Sequence, residues 1–143
     1  MEYLLISGCL IGNNTKYNGL NNYTPLVEKL KEKYELIICC PEVDGGLSIP
    51  RNPSEISGNI VISNMGVDVT NEFNLGAQKA LELVKKYRIK KALLKEGSPS
   101  CGTNYIYDGT FTGTKINGLG VTAKLLKENG VLLFNEKEIE KLL

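Results

Sequence analysis

The sequence predicts an α/β fold: a single domain over residues 1–143, with a mainly parallel sheet and helices on both faces, a Rossmann-like three-layer sandwich. Three observations point there. Short apolar runs recur at YLLISG, ELIICC, KALLKE and VLLF, with helix-patterned segments between them. Strands separated by helices make βα units, and these build parallel sheets covered on both sides. The length of 143 residues supplies one sizeable hydrophobic core and is short for two.

Residues 3–8 predict a buried strand ending at Cys9, followed by a polar loop over 12–23. TPLVEKLKEKY then opens a helix, with Thr24 as cap and Pro25 in the first turn, where its missing N–H does no harm. ELIICC, residues 35–40, predicts a second strand stopped by Pro41. Residues 41–58 are punctuated by Gly and Pro without a period and predict an extended loop. NIVIS and GVDVT predict a hairpin turning near Asn64-Met65-Gly66. The clearest helix covers about 71–87, where Phe73, Ala77, Ala80, Leu81, Val84 and Tyr87 share one face and Thr70 caps the start. KALLKE predicts the next strand, and a Gly/Thr-rich loop over 102–120 leads to a helix over 120–129, ended by Asn129-Gly130. VLLF predicts the last strand, and Asn135 with Glu138 forms a capping-box pattern at a terminal helix.

Composition excludes several classes of function. Lys and Arg number 17 against 16 Asp and Glu, a net charge of +1, so no global field advertises nucleic acid or an anionic membrane. The apolar runs fall far short of the roughly 20 residues of a membrane span. The N-terminal MEYLLISG carries an acid at position 2 and no basic region, which predicts a cytoplasmic protein without a signal peptide. There is no histidine. Ser-His-Asp and Cys-His machinery are therefore excluded, as are imidazole metal ligands, and proton transfer falls to Glu, Asp, Lys, Tyr or Cys.

The four cysteines are placed unusually. Cys9 follows the first predicted strand, Cys39 and Cys40 end the second, and Cys101 lies just past the KALLKE strand. In a parallel α/β sheet the carboxyl ends of the strands share one edge, where ligands bind. Three cysteine positions far apart in sequence thus converge on one rim, as metal ligands or as structural thiols. Three thiolates without histidine suit zinc completed by a fourth ligand, or an iron–sulfur cluster with one iron left open. Around Cys101, KEGSPSCG holds nothing bulky and leaves the backbone approachable to a flat ring. GLGVTA, residues 118–123, fits a dinucleotide fingerprint nominally, but follows a loop and reads better as an anion-friendly helix start.

SGCLIG (7–12), CPEVDGGLSIPR (40–51), SPSCG (98–102), YDGTFTG (107–113) and GVTAKLL (120–126) occur in an order that resembles the thiouracil desulfidase family. This is a bacterial and archaeal family long catalogued as a domain of unknown function. The resemblance spans essentially the whole chain. It implies a hydrolase: a [4Fe–4S] cluster held by three cysteines, Cys9, Cys40 and Cys101, with non-redox removal of sulfur from a thiolated pyrimidine or related small thioamide. Glu42 matches the acid that handles protons and Ser98 a serine beside the substrate; Ser7, Arg51, Ser100 and Asp108 are further substrate-binding candidates. Zinc or an empty site is the expectation for aerobic protein, and a non-catalytic Fe–S, zinc or sulfur carrier is the alternative. Cys39 stays open as a ligand in place of Cys40. One departure stands out: family members often carry a cysteine and an acid in a CRYDG-like stretch, where this chain has TKYNG, with Thr15 and Asn18.

Overall fold

The computed structural model describes residues Met1–Leu143. Its centre is a four-stranded sheet of β1 (Glu2–Ser7), β2 (Tyr34–Cys39), β5 (Lys91–Leu94) and β8 (Leu132–Asn135), in the order β2-β1-β5-β8. Every pairing in it is parallel. Alternation along β1 sets the layers. Leu4 and Ile6 join Leu10, Val27, Leu30, Ile139 and Leu142 on one face, beneath the one-turn helix α1 (Val27–Leu30) and a C-terminal 3-10 turn. Leu5 points the other way, into a cluster with Ala80, Leu81, Val84, Ala123 and Leu126 from α3 (Thr70–Tyr87) and α4 (Val121–Glu128). Each fully buried Leu, Ile or Val side chain among them contributes roughly 1.5–3 kcal/mol. The expected three-layer α/β sandwich is therefore present, and no helix is long and apolar enough to cross a membrane.

The chain begins at β1, steps out to β2, then returns to the other side of β1 to place β5 and β8. Connections leave the adjacent carboxyl ends of β1 and β5 in opposite directions, which defines a topological switch point between Ser7 and Leu94. Two small hairpins fringe that edge. One pairs β3 (Ser54–Ser57) with β4 (Ile60–Ser63), the other β6 (Tyr105–Tyr107) with β7 (Lys115–Asn117).

Several local expectations need correction. The segment after Thr24 is mostly tight turns, with Val27, Glu28 and Lys29 N–H groups bonding carbonyls three residues back, because β2 starts too soon for a longer helix. Residues 41–58 are not all loop: Pro41 opens α2 (Pro41–Asp44) as well as ending β2. β4 pairs back to β3 through a turn at Gly58-Asn59, and the expected turn at Asn64-Met65-Gly66 forms too: Ser63 N–H donates to the Val67 carbonyl at 2.8 Å and Val69 N–H to that of Val61 at 2.9 Å, around a single bridge of Asp68 to Ile62. Thr70 is not a cap: its Oγ1 accepts the Val61 N–H at 2.8 Å, tying α3 to β4. Half of the capping box at Asn135 forms, with Asn135 N–H donating to Glu138 Oε1 at 3.2 Å, while Asn135 Oδ1 accepts the Lys137 N–H at 2.9 Å in a turn ahead of the 3-10 turn Ile139–Leu142.

Candidate active site

Three backbone devices bring the cysteines to the switch point. Cys9 sits in a 3-10 turn, Gly8–Ile11, directly after β1. Cys40 precedes α2, with its N–H donating to Asp44 Oδ2 at 3.1 Å. Helix α2 is pressed onto α3 backbone to backbone: a Cβ on Gly45 would lie 1.9 Å from the Glu72 carbonyl oxygen, and one on Gly76 would lie 1.8 Å from that of Pro41. Both positions demand glycine for space, and they fix where Cys40 and Glu42 stand.

Cys101 is held by α4. The N–H groups of Val121, Thr122 and Ala123 donate to the carbonyls of Pro99 and Ser100 at 2.9–3.1 Å, and a Cβ on Gly120 would lie 2.4 Å from the Ser100 carbonyl carbon. The helix start therefore spends its amides on the SPSCG loop, not on an anion as expected. The small residues of that loop have an internal reason too. Gly97 (φ +79°) accommodates the Tyr105 ring, and Gly102 abuts the Ser98 and Tyr105 carbonyls.

The strut beneath this loop is Glu96, which sequence reasoning missed. Its carboxylate, 4% exposed, accepts the N–H groups of Gly97, Thr103 and Asn104, the Thr103 hydroxyl, and the side-chain amides of Asn104 and Asn135, all at 2.7–3.1 Å. Burial alone would raise its pKa; the bonds from Asn104 and Thr103 outweigh that and hold it at about 2, below the ordinary 4.5. The sequence signal was an acid immediately after a strand, followed by TN seven residues later. Lys95 beside it pairs with Glu136 at 2.8 Å.

These elements enclose a cavity of about 430 Å³, lined by Cys9, Cys39, Cys40 and Cys101 together with Glu42, Arg51, Ser98, Ser100, Tyr105 and Tyr107. The two tyrosines meet edge to face, with centroids 6.3 Å apart, and form an aromatic wall. Thr15, Lys16, Tyr17 and Asn22 bring the departing TKYNG loop into the lining.

A polar chain crosses the cavity. Ser98 Oγ accepts the N–H groups of Ser100 and Cys101, both at 3.1 Å. With its two lone pairs so used, Ser98 is the donor to Ser100 Oγ at 2.9 Å. Ser100 in turn donates to Glu42 Oε2 at 3.2 Å. The other carboxylate oxygen of Glu42 accepts from Arg51 Nε at 3.1 Å, and Arg51 also donates to the carbonyls of Thr15 and Ser48. The chain thus has one direction, Ser98 to Ser100 to Glu42, with the carboxylate held by Arg51.

Of the four further candidates, Ser7, Arg51 and Ser100 line the cavity and Asp108 does not. Arg51 donates one N–H from each of its three nitrogens, to Glu42 and to two carbonyls, and is thereby fixed against Glu42. Ser100 is the middle of the polar chain. Ser7, 4% exposed, turns its hydroxyl to the Cys101 sulfur at 3.5 Å. Asp108 does not line the cavity; it closes an exposed turn by accepting the N–H and hydroxyl of Thr110 at 3.0 and 2.6 Å. The turn places Gly109 and Phe111, whose N–H groups reach Glu55 at 3.0 and 3.2 Å.

Burial raises the Cys9 thiol, pushes Cys101 up to about 12, and lifts Cys39 well above its ordinary value. Thiolates here therefore call for a positive partner in the cavity. No three Cys, Asp or Glu side chains lie close enough to chelate a single metal ion. Cysteines that line a shared cavity without chelating one ion suit a group larger than a single metal. The donor set, thiolates only, suits iron–sulfur chemistry. Cys39 reaches the cavity lining from the buried core cluster it shares with Cys101, at 1% exposure, whereas Cys40 is half-buried at the cavity wall.

Fold and site together define a doubly wound α/β protein with a cysteine-lined pocket at its topological switch point. A family model described as 2-thiouracil desulfurase matches residues 4–138, and the chain belongs to that family. The protein YbbK of Bacillus subtilis (strain 168), itself described as uncharacterised, is 39% identical over 150 residues, covering 98% of this chain and 99% of the relative. The solved structure of the [4Fe–4S]-dependent thiouracil desulfidase TudS matches with a TM-score of 0.94 at 40% identity, covering 99% of this chain and 95% of that one.

Proposed function

We propose that this protein is a [4Fe–4S]-dependent desulfidase that hydrolyses a thiolated pyrimidine, such as thiouracil, to the oxygen analogue and sulfide. Family membership and the likeness to TudS support the reaction class. The observation that carries the assignment to particular residues is the convergence of Cys9, Cys40 and Cys101 on one cavity beside the Ser98–Ser100–Glu42 chain. These three cysteines are assigned as the cluster ligands. When bound, the cluster supplies an open iron, a soft Lewis acid for a thiocarbonyl sulfur that leaves the ring carbon more electrophilic.

The protein's own groups do the rest. The Tyr105–Tyr107 wall receives the flat ring. Glu42 takes the proton of the attacking water, and Arg51 holds that carboxylate in place and balances its charge. Ser98, obliged to donate, turns its proton toward the departing sulfur or a ring nitrogen, and Ser100 passes a proton back from Glu42. One C–O bond forms, the C–S bond breaks, and both protons of water leave with sulfide, so no electron acceptor or donor is required.

Anaerobic loading followed by iron analysis tests the ligand set. Cys9→Ala, Cys40→Ala and Cys101→Ala each lose most of the bound iron, whereas Cys39→Ala keeps it. Iron retained by Cys40→Ala and lost by Cys39→Ala would assign the second ligand the other way.

A further inference from the structure

The hydrogen bonds to the three ligand sulfurs are unequal, and the hydrolytic chemistry alone gives no reason for that. Ser7 ends β1, and its oxygen accepts the Lys95 N–H at 3.1 Å. A hydroxyl has one proton, and that of Ser7 has a single acceptor within reach, the Cys101 sulfur at 3.5 Å. The Ser100 hydroxyl is also 3.5 Å from this sulfur, but the Glu42 carboxylate draws its proton more strongly. Asn22 donates its side-chain amide to the Cys9 sulfur at 3.4 Å, while its backbone N–H holds the Cys9 carbonyl at 2.9 Å. Cys40 has no donor. Its sulfur faces the Thr15 carbonyl oxygen at 3.9 Å, an acceptor that Arg51 also binds.

We propose that Ser7 and Asn22 are positioning residues that weaken electron donation by Cys101 and Cys9, leaving Cys40 the strongest donor of the three thiolates. The inference rests on the assignment of these cysteines as cluster ligands. O–H···S and N–H···S bonds draw charge from a thiolate, which raises a cluster's reduction potential. An electron-poor iron is the better acceptor for a thiocarbonyl sulfur, and a reaction that moves no electrons loses nothing by it. Ser7 thus acts through Cys101 and Asn22 through Cys9, and neither acts by touching substrate.

The test is a redox titration of anaerobically reconstituted protein, with resonance Raman spectra of the Fe–S(Cys) stretching bands. Ser7→Ala and Asn22→Ala each move the potential to a more negative value and shift those bands upward. The double variant moves by about the sum, because the two act on different sulfurs. Ser7→Thr, which keeps the hydroxyl, restores the wild-type potential. Unchanged potentials in a cluster bound by all three cysteines overturn the inference while leaving the ligand assignment intact. Full iron in Cys9→Ala or Cys101→Ala overturns the assignment and the inference with it. Asn22→Ala, in a half-buried loop, keeps the test decisive if Ser7→Ala does not fold.

Discussion

Glu42 and Glu96 show how differently two carboxylates near one loop are used. Glu42 has one oxygen on Arg51 and the other on a serine hydroxyl at the cavity, an arrangement that permits proton exchange. Glu42→Gln therefore lowers kcat by roughly 10²–10⁴ with iron content unchanged, the range for a positioned acid–base group. Ser100→Ala removes one charge-assisted hydrogen bond of about 1.5 kcal/mol and slows turnover by about tenfold. Glu96 accepts bonds from every side and is structural. Glu96→Gln places an amide donor against those of Asn104 and Asn135, or against the loop N–H groups if flipped, and destabilises by about 1–3 kcal/mol. Its pKa of about 2, below the ordinary 4.5, also sets a pH dependence. The ionised form is favoured by folding, so the stabilisation is complete above the unfolded value and is lost as pH falls from 4.5 to 2. Thermal melts across that window show an acid-dependent decline in the wild type that is shallower in Glu96→Gln.

At the scale of elements, the contact between α2 and α3 decides where Cys40 and Glu42 lie. Helix propensity alone predicts that Gly76→Ala stabilises α3 by about 1 kcal/mol. Its Cβ would instead meet the Pro41 carbonyl at 1.8 Å, so the variant is destabilised by about 1–3 kcal/mol or more and loses activity, as chemical denaturation and turnover together reveal. The parallel strands and the two amphipathic helices were legible in the sequence because their periodicity reports burial directly. The convergence of cysteines followed from topology, since strand ends of a parallel sheet share an edge. The β3 and β6–β7 strands were not legible: three or four residues such as SEIS and KIN carry little apolar pattern. Helix α2 hid behind Pro41, which ends a strand and starts a helix equally well. Glu96 and the directed serine chain depend on which backbone groups come within 3 Å, and local sequence does not encode that.

On the scale of the whole molecule, the three cysteines proposed as cluster ligands come from separate strand ends, so cluster binding through them couples distant parts of the fold. A group bound only by the folded state stabilises it by mass action. Anaerobically loaded protein therefore melts several degrees above the same protein stripped of iron by a chelator. The switch point between β1 and β5 places Cys9 on one side and Cys101 on the other, with Cys40 arriving from β2. The most direct measurement is turnover by the reconstituted protein under anaerobic conditions, given 2-thiouracil and no reductant. Uracil and sulfide appearing in equal amounts, with loss of both in Cys40→Ala and Glu42→Gln, is the predicted result. A fully loaded cluster that releases no sulfide from thiolated pyrimidines, or does so only when a reductant is added, contradicts the account.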